Sequence, residues 1–187
     1  MAGATLEFDA VAALAVVNEA AAALADPAPM LRDIGEYLLI AHDRRFASQA
    51  SPDGTPWRAL SPRYLKRKRK NPDKILVLDG FLKNTLRYQV GDNELLFGTN
   101  RIYGAMMHFG GSIDIAARSQ QAYFRQDGRT GDVGNTFVSK RKSNFAQWVT
   151  IGAYTIQIPA RPWLGISDDD NYAIAGIANR YLMPNEA

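Results

Sequence analysis

The hydrophobic pattern of the N-terminal third predicts two helices. Over residues 8–25 alanine predominates and larger apolar side chains recur every three or four positions, as in an amphipathic helix. Asp9 is its candidate cap. The sequence Asp-Pro-Ala-Pro at 26–29 then breaks the chain, and a second helix is predicted over 30–48. We expect the two helices to form a hairpin. The core-facing positions of the second helix are predicted to be Leu31, Ile34, Leu38, Ala41 and Phe46.

Shorter elements follow in the middle of the chain. The turn-rich stretch 51–57 predicts a loop that ends on Trp57 as an anchor. Ser61, followed by proline, predicts the cap of a short helix that carries a basic run and ends near Asn71. A further short helix is predicted to open at Asp79, which would cap it.

The next apolar stretches predict a hairpin and a helix. Residues 86–90 and 94–98 flank the turn sequence Gly-Asp-Asn and predict two paired strands. Residues 103–109 predict a short, mostly apolar helix, and the glycine pair at 110–111 would end it.

A long β-hairpin arm is predicted over 112–158. Its two β-compatible stretches, 113–124 and 137–158, enclose a segment rich in glycine and charge at 127–134. A turn near Gly152 divides the second stretch. We expect the tip of the arm to be mobile.

The C-terminal part combines a stiff connector with a helix. Two prolines restrict the backbone of 159–165. Ser167 is predicted to cap a helix that runs to about Tyr181, with three aspartates in its first turn, where the helix dipole favours negative charge.

These elements predict an α+β fold. We expect an N-terminal helical hairpin and a C-terminal helix packed on a mostly antiparallel sheet, with the long β-hairpin arm. Residues 1–29 are predicted to form a helical extension, and 30–187 a single α+β domain that includes the arm at 112–158.

The chain has little of the chemistry that catalysis needs. It has no cysteine, and its two histidines, His42 and His108, have no partner at metal-ligand spacing. We found no nucleophile elbow, dinucleotide fingerprint or phosphate loop. We therefore predict no catalytic residue, no cofactor and no metal. The N-terminal region lacks the basic start of an export signal, and no stretch is long and apolar enough for a membrane helix, so we expect a soluble protein.

One charged segment has an alternative interpretation. The net charge is only +3, but seven Lys and Arg residues crowd into 63–74. Such a run neutralises phosphates and would make the chain a nucleic-acid-binding module, although most basic runs are solvated faces. The residues that would face DNA are Lys66, Arg67, Lys68, Arg69 and Lys70.

The order of several short motifs resembles the phage virion morphogenesis family, the tail-completion and head-tail joining proteins of Mu-like tailed phages. The resemblance covers about residues 31–181. The motifs are GTPWRALS at 54–61, ILVLDGFL at 75–82, FGTN at 97–100, YGA at 103–105, HFGG at 108–111 and IPARPWLGIS at 158–167.

The resemblance implies a non-enzymatic structural protein of the virion, assembled in the host cytoplasm, that completes the tail or the head-tail joint. It implies a ring of identical subunits, with a hexamer as one candidate, and neighbouring connector and tail tube proteins as partners. Non-specific contact with phage DNA and no contact with a membrane are also expected. The residues predicted at subunit interfaces are Trp57, Phe109, Phe124, Phe137, Trp148, Arg161 and Trp163.

For Trp57 and Trp163 an ordinary core position is the favoured interpretation, since buried aromatic residues usually serve the fold. Together with Phe109 they are predicted to be packing anchors. Arg161 is predicted to pair with a carboxylate or a carbonyl near the connector.

Overall fold

The computed structural model describes residues 11–183, and within them it confirms the α+β class. Over these residues the chain divides into two units, one made of 11–110 with 159–183 and the other of 111–158. The predicted arm therefore coincides with the second unit to within one residue. The assignment of 1–29 as an extension and of 30–187 as one domain stays a prediction. The helices are α1 (Val11–Ala25), α2 (Ala28–Ser48), α3 (Pro62–Leu65), α4 (Phe81–Asn84), α5 (Tyr103–Phe109) and α6 (Asp168–Leu182).

The strands form two-stranded antiparallel sheets rather than one larger sheet. In the first unit β1 pairs with β2, and in the second β3 pairs with β6 and β4 with β5. The hairpin predicted over 86–98 is thus confirmed. The strands are β1 (Arg87–Val90), β2 (Leu95–Gly98), β3 (Gly111–Ile115), β4 (Arg118–Phe124), β5 (Phe145–Ile151) and β6 (Tyr154–Ile158).

The first two helices form as predicted, but their packing differs from the predicted hairpin. Helix α1 contacts chiefly α6, whereas α2 contacts α6 and the β1–β2 hairpin. The large apolar side chains of α1 stay exposed, with Val11 at 71% and Val17 at 62%. Asp9, its predicted cap, lies outside the described residues.

The core of the first unit consists of two apolar clusters. One is centred on Phe46, Trp57, Leu82 and Trp163. The other joins Ile34 and Leu38 of α2 to Ile177 of α6. Of the predicted core-facing residues of α2, Ile34, Leu38, Ala41 and Phe46 are buried and Leu31 is half-buried.

Local capping chemistry decides where two of the helices begin. The Ser167 hydroxyl accepts a hydrogen bond from the Asp170 N–H, while the Asp170 carboxylate accepts one from the Ser167 N–H, which completes a capping box on α6. Ser61 caps α3 as predicted.

The prediction that Asp79 caps α4 is wrong. The helix begins after Gly80, whose φ of 81° is in the left-handed region that glycine adopts without strain. The Asp79 carboxylate instead forms an ion pair with Lys70 at 2.6 Å.

The arm is a long two-stranded hairpin, and each of its two sides is interrupted at the matching position. Residues 116–117 separate β3 from β4, and 152–153 separate β5 from β6. The predicted division near Gly152 is confirmed, but it is a break between two successive strands of the same side rather than a turn, because β5 pairs with β4 and β6 with β3. The last strand pair of β4 and β5 is Phe124 with Phe145. Residues 125–144 form the tip, and β5 begins at Phe145 rather than at the predicted residue 137, because a short 3-10 turn occupies Lys140–Lys142.

Candidate functional site

The connector at 159–165 is tightly packed in the first unit. The Trp163 indole N–H donates to the Gly104 carbonyl at 3.0 Å, and the Trp57 indole N–H donates to the Pro162 carbonyl at 2.8 Å. Both rings pack on Phe46, with centroids 6.3 and 5.4 Å away. Each tryptophan thus has both its apolar ring and its polar N–H satisfied within the unit, which confirms both as packing anchors.

Arg161 holds the connector to the loop after Trp57. Its Nε donates to the Arg58 carbonyl at 2.8 Å and its guanidinium also reaches the Ala59 carbonyl at 3.3 Å, so the predicted pairing with a carbonyl is confirmed. Its backbone N–H donates to the Met107 carbonyl. Burial, with the nearby charge of Arg58, lowers the pKa of Arg161, yet these carbonyls suit the cationic form.

A buried ion pair joins α2 to the start of α6. Arg45 lies 2.8 Å from the Asp170 carboxylate, and both side chains are almost fully buried. Arg45 also donates to the Gly165 carbonyl at 2.7 Å. Asp170 accepts from the Tyr37 hydroxyl at 2.8 Å. Burial by itself would raise the pKa of Asp170, but hydrogen bonds from Ser167 and Tyr37 and the charge of Arg45 outweigh it and hold that pKa below its ordinary value.

His42 extends this network as a neutral imidazole. Its Nδ1 lies 2.7 Å from the Leu38 carbonyl and its Nε2 lies 3.1 Å from an Arg45 nitrogen. This arrangement fits an Nδ1–H donor and an Nε2 acceptor. Burial lowers the pKa of His42 to about 4. The contacts of His42 are those of a structural residue.

The residues predicted at subunit interfaces separate into two groups. Trp57, Trp163, Arg161 and Phe124 are buried within their own units and present little surface to a second subunit. Phe109, Phe137 and Trp148 are 75%, 63% and 73% exposed. Their role at an interface stays a prediction.

The prediction that Phe109 is a packing anchor is wrong. It is the last residue of α5, and its ring contacts the edge of His108 at 4.5 Å between centroids while most of its surface stays open. Its neighbour His108 is the residue that faces inward, where its Nδ1 accepts from the Trp163 N–H at 3.3 Å. The one-residue step along the helix separates the half-buried ring of His108 from the exposed ring of Phe109.

The basic run does not lie on a helix as predicted, because α3 ends at Leu65. Lys70 pairs with Asp79, and the Lys68 ammonium turns inward to the backbone carbonyls of Asn71 and Lys74. Burial lowers the pKa of Lys68. Three exposed cations of the five predicted to face DNA are left without a carboxylate partner in the described part of the chain: Lys66, Arg67 and Arg69.

The β3–β6 ribbon of the arm has one polar and one apolar face. Ser112 lies opposite Gln157, and the Thr155 hydroxyl donates to Asp114 at 2.6 Å. On the other face Ile113 lies opposite Ile156, with 39% and 43% of their surfaces exposed. Alternation along the strands places the apolar pairs together. Sequence reasoning predicted the arm but not this face.

Comparison with known proteins identifies the family. The profile of the phage virion morphogenesis family matches residues 8–183, which includes the packed connector, the buried ion pair and the arm. The chain belongs to the phage virion morphogenesis family. That membership gives it a structural role in phage assembly and associates it with the phage particle. The resemblance seen in the sequence motifs is thereby confirmed.

One curated relative of this virion morphogenesis protein comes from Escherichia phage Mu. It is described as "Putative capsid assembly protein G" and is 34% identical over 91 residues, which cover 46% of this chain and 58% of the relative. The match therefore spans less than two thirds of that relative. No solved structure matches the chain.

Residues 11–183 of this family member contain neither a group of side chains suited to a metal ion nor a membrane-spanning helix. Among residues 11–183 no group of three or more His, Asp or Glu side chains is arranged to hold a metal ion. No helix in the same range has the length and apolar character needed to cross a membrane.

Proposed function

We propose that the protein is a subunit of a homo-oligomeric ring that completes the tail or the head-tail joint of a tailed phage. Residues 111–158 make the contacts between subunits, and the flanking partners are connector and tail tube proteins. The role is structural and non-enzymatic. The observation that carries the proposal is the apolar face of the β3–β6 ribbon.

The ribbon needs more packing than two strands supply. A two-stranded hairpin is marginally stable in water unless a third strand or another surface covers it. Its apolar face nevertheless leaves Ile113, Ile156 and Tyr154 about two fifths exposed. A second copy of the chain offers an identical ribbon, and strand addition or face-to-face packing between copies would cover both.

The next section of the arm adds an aromatic contact. Trp148 on β5 lies opposite Gln121 and is 73% exposed. Large exposed aromatic side chains are enriched at interfaces, where a few of them provide much of the binding energy. Trp148 and the Ile113–Ile156 pair therefore mark two contact points along one arm.

The proposal is tested by comparing two double variants of the ribbon by sedimentation velocity. Ile113→Thr with Ile156→Thr removes the apolar face but keeps β-branched side chains. Each lost apolar contact costs about 1 kcal/mol, so the concentration at the midpoint of assembly rises at least about tenfold.

The matched control changes the opposite face of the same strands, with Ser112→Thr and Gln157→Thr. This variant assembles like the unmodified chain. The proposal would be refuted if both variants assembled equally well. It would also be refuted if the unmodified chain sedimented as a monomer at every concentration.

A further inference from the structure

The excess positive charge of the chain lies in the arm. Residues 111–158 contain six Lys and Arg residues and three Asp residues. The net charge of this segment is therefore +3, equal to the net charge of the whole chain. The remainder of the chain is balanced. The sequence-based interpretation placed the candidate DNA contacts at 63–74, a segment in which part of the charge is neutralised.

Four of the arm's cations are held together at its tip. Lys140, Arg141 and Lys142 are consecutive and exposed on a 3-10 turn. The turn is fixed by the Lys142 N–H, which donates to the Ser139 carbonyl at 2.8 Å. Arg125 donates from Nε to the Lys142 carbonyl at 3.2 Å, which brings a fourth cation to the same turn.

Backbone contacts give this tip a defined shape. The Gln126 N–H donates to the Asn144 side chain at 2.7 Å, and the Asn144 amide donates back to the Gln126 carbonyl at 2.8 Å. On the other side the Gly134 N–H donates to the Arg125 carbonyl at 2.8 Å. The cations are therefore presented by hydrogen-bonded backbone, which lowers the entropy cost of binding.

No carboxylate of the described residues forms an ion pair with this cluster. Across residues 11–183 the ion pairs are Arg45–Asp170, Lys70–Asp79 and Lys83–Asp43, and none involves the tip. Asp127, a carboxylate of the tip, accepts the N–H groups of Arg129 and Thr130. Those hydrogen bonds lower the pKa of Asp127, so its negative charge is stabilised by the N–H groups of its own turn.

We propose that the arm tip binds the phosphate backbone of double-stranded nucleic acid through Arg125, Lys140, Arg141 and Lys142, without reading its sequence. Duplex DNA carries one negative charge per about 1.7 Å of its axis, so adjacent cations find adjacent phosphates. Charged residues are depleted at the core of protein–protein interfaces, so a patch of four cations favours nucleic acid over an acidic protein. The site lies within one subunit and does not depend on ring formation.

The test measures binding of the full chain to a fluorescent DNA duplex of arbitrary sequence, by anisotropy over a salt series. The arm variant combines Lys140→Glu, Arg141→Glu and Lys142→Glu. The matched control combines Lys66→Glu, Arg67→Glu and Arg69→Glu, with the same change of net charge. A milder arm variant, with the same three residues changed to Gln, and thermal unfolding curves of all variants exclude misfolding.

The unmodified chain is expected to bind with an affinity that falls steeply with salt. The arm variant weakens binding at least about tenfold and lowers the slope of log affinity against log salt by about 2 to 3, while the control stays within about twofold. The proposal is overturned if the duplex does not bind, if both Glu variants weaken binding equally, if only the control does, or if polyglutamate competes as well as unlabelled duplex.

Discussion

At the scale of single residues, the polar core depends on the Arg45–Asp170 pair. The two charges come from helices α2 and α6, and Tyr37, Gly165 and Ser167 satisfy their remaining hydrogen-bonding groups. A buried pair of this kind adds little over an apolar pair of the same shape, but removing one partner leaves an uncompensated charge.

Asp170→Asn is therefore expected to lower the free energy of unfolding by about 3 kcal/mol. Asp43→Asn is the control, because the Asp43–Lys83 pair is substantially exposed and such pairs contribute about 0 to 1 kcal/mol. Chemical denaturation of both variants checks the difference. Equal losses would show that the buried pair has no special role.

His42 makes stability depend on pH. In the unfolded chain its imidazole takes up a proton near pH 6.5, whereas in the folded chain burial delays this to about pH 4. Between these values the unfolded state binds more protons, so stability falls as pH decreases from 6.5 to 4 and is flat on this account above that window. The size of the effect is about 3 kcal/mol.

His42→Gln removes this titration, and denaturation curves from pH 4 to 7 should lose most of their slope relative to the unmodified chain. His108→Gln is the comparison, since burial also lowers the pKa of His108 but this side chain is less buried. An unchanged slope in the His42 variant would contradict the assignment.

The identity of a residue's partner was predictable from sequence only where that partner is local. Ser167 and Ser61 were found as caps because the bonded N–H lies three residues away. The Arg45–Asp170 pair spans 125 positions, and nothing in the local pattern joins them. Asp170 was correctly assigned to the first turn of α6, but its buried partner was not predicted.

At the scale of elements, two helix glycines have opposite surroundings. A Cβ added at Gly35 on α2 would come within 2.6 Å of the Tyr88 ring on β1, whereas one added at Gly176 on α6 meets nothing within 4 Å. The absence of a side chain at Gly35 is what lets the β1–β2 hairpin pack against α2.

Gly35→Ala is expected to lower the free energy of unfolding by about 1 to 3 kcal/mol through overpacking, despite the better helix propensity of alanine. Gly176→Ala is expected to raise it by up to about 1 kcal/mol. Thermal unfolding of the pair checks both signs, and stabilisation by Gly35→Ala would contradict the packing described.

Element types were largely predictable because periodicity and turn residues are local signals. The two long N-terminal helices, the β1–β2 hairpin, α5 and α6 all form at the predicted positions. The basic run was misplaced on a helix because Ser61 and Pro62 give a strong start signal, while α3 ends within one turn. The Lys-Arg-Lys sequence at 140–142 falls within the stretch predicted to be β-structure, so its position on an exposed 3-10 turn was not predicted.

At the scale of the whole molecule, tertiary packing determined which aromatic residues stayed available. Trp57 and Trp163 are buried in the core of the first unit, whereas Trp148 and Phe137 in the arm are exposed. Composition cannot distinguish these cases, since burial depends on contacts between distant segments. The family was recognisable from the order of short motifs, but the apolar ribbon face and the charged tip emerged only from strand register and turn geometry.

The central claim is that copies of this chain assemble through their arms into a closed ring. The most direct measurement is the molar mass of the purified full-length chain by light scattering, over a wide range of concentration and at several salt concentrations. A closed ring predicts a single molar mass that is a whole-number multiple of the 20.6 kDa subunit mass. This mass should stay constant on dilution until the concentration approaches the midpoint of assembly. A mass equal to one subunit under all these conditions would contradict it.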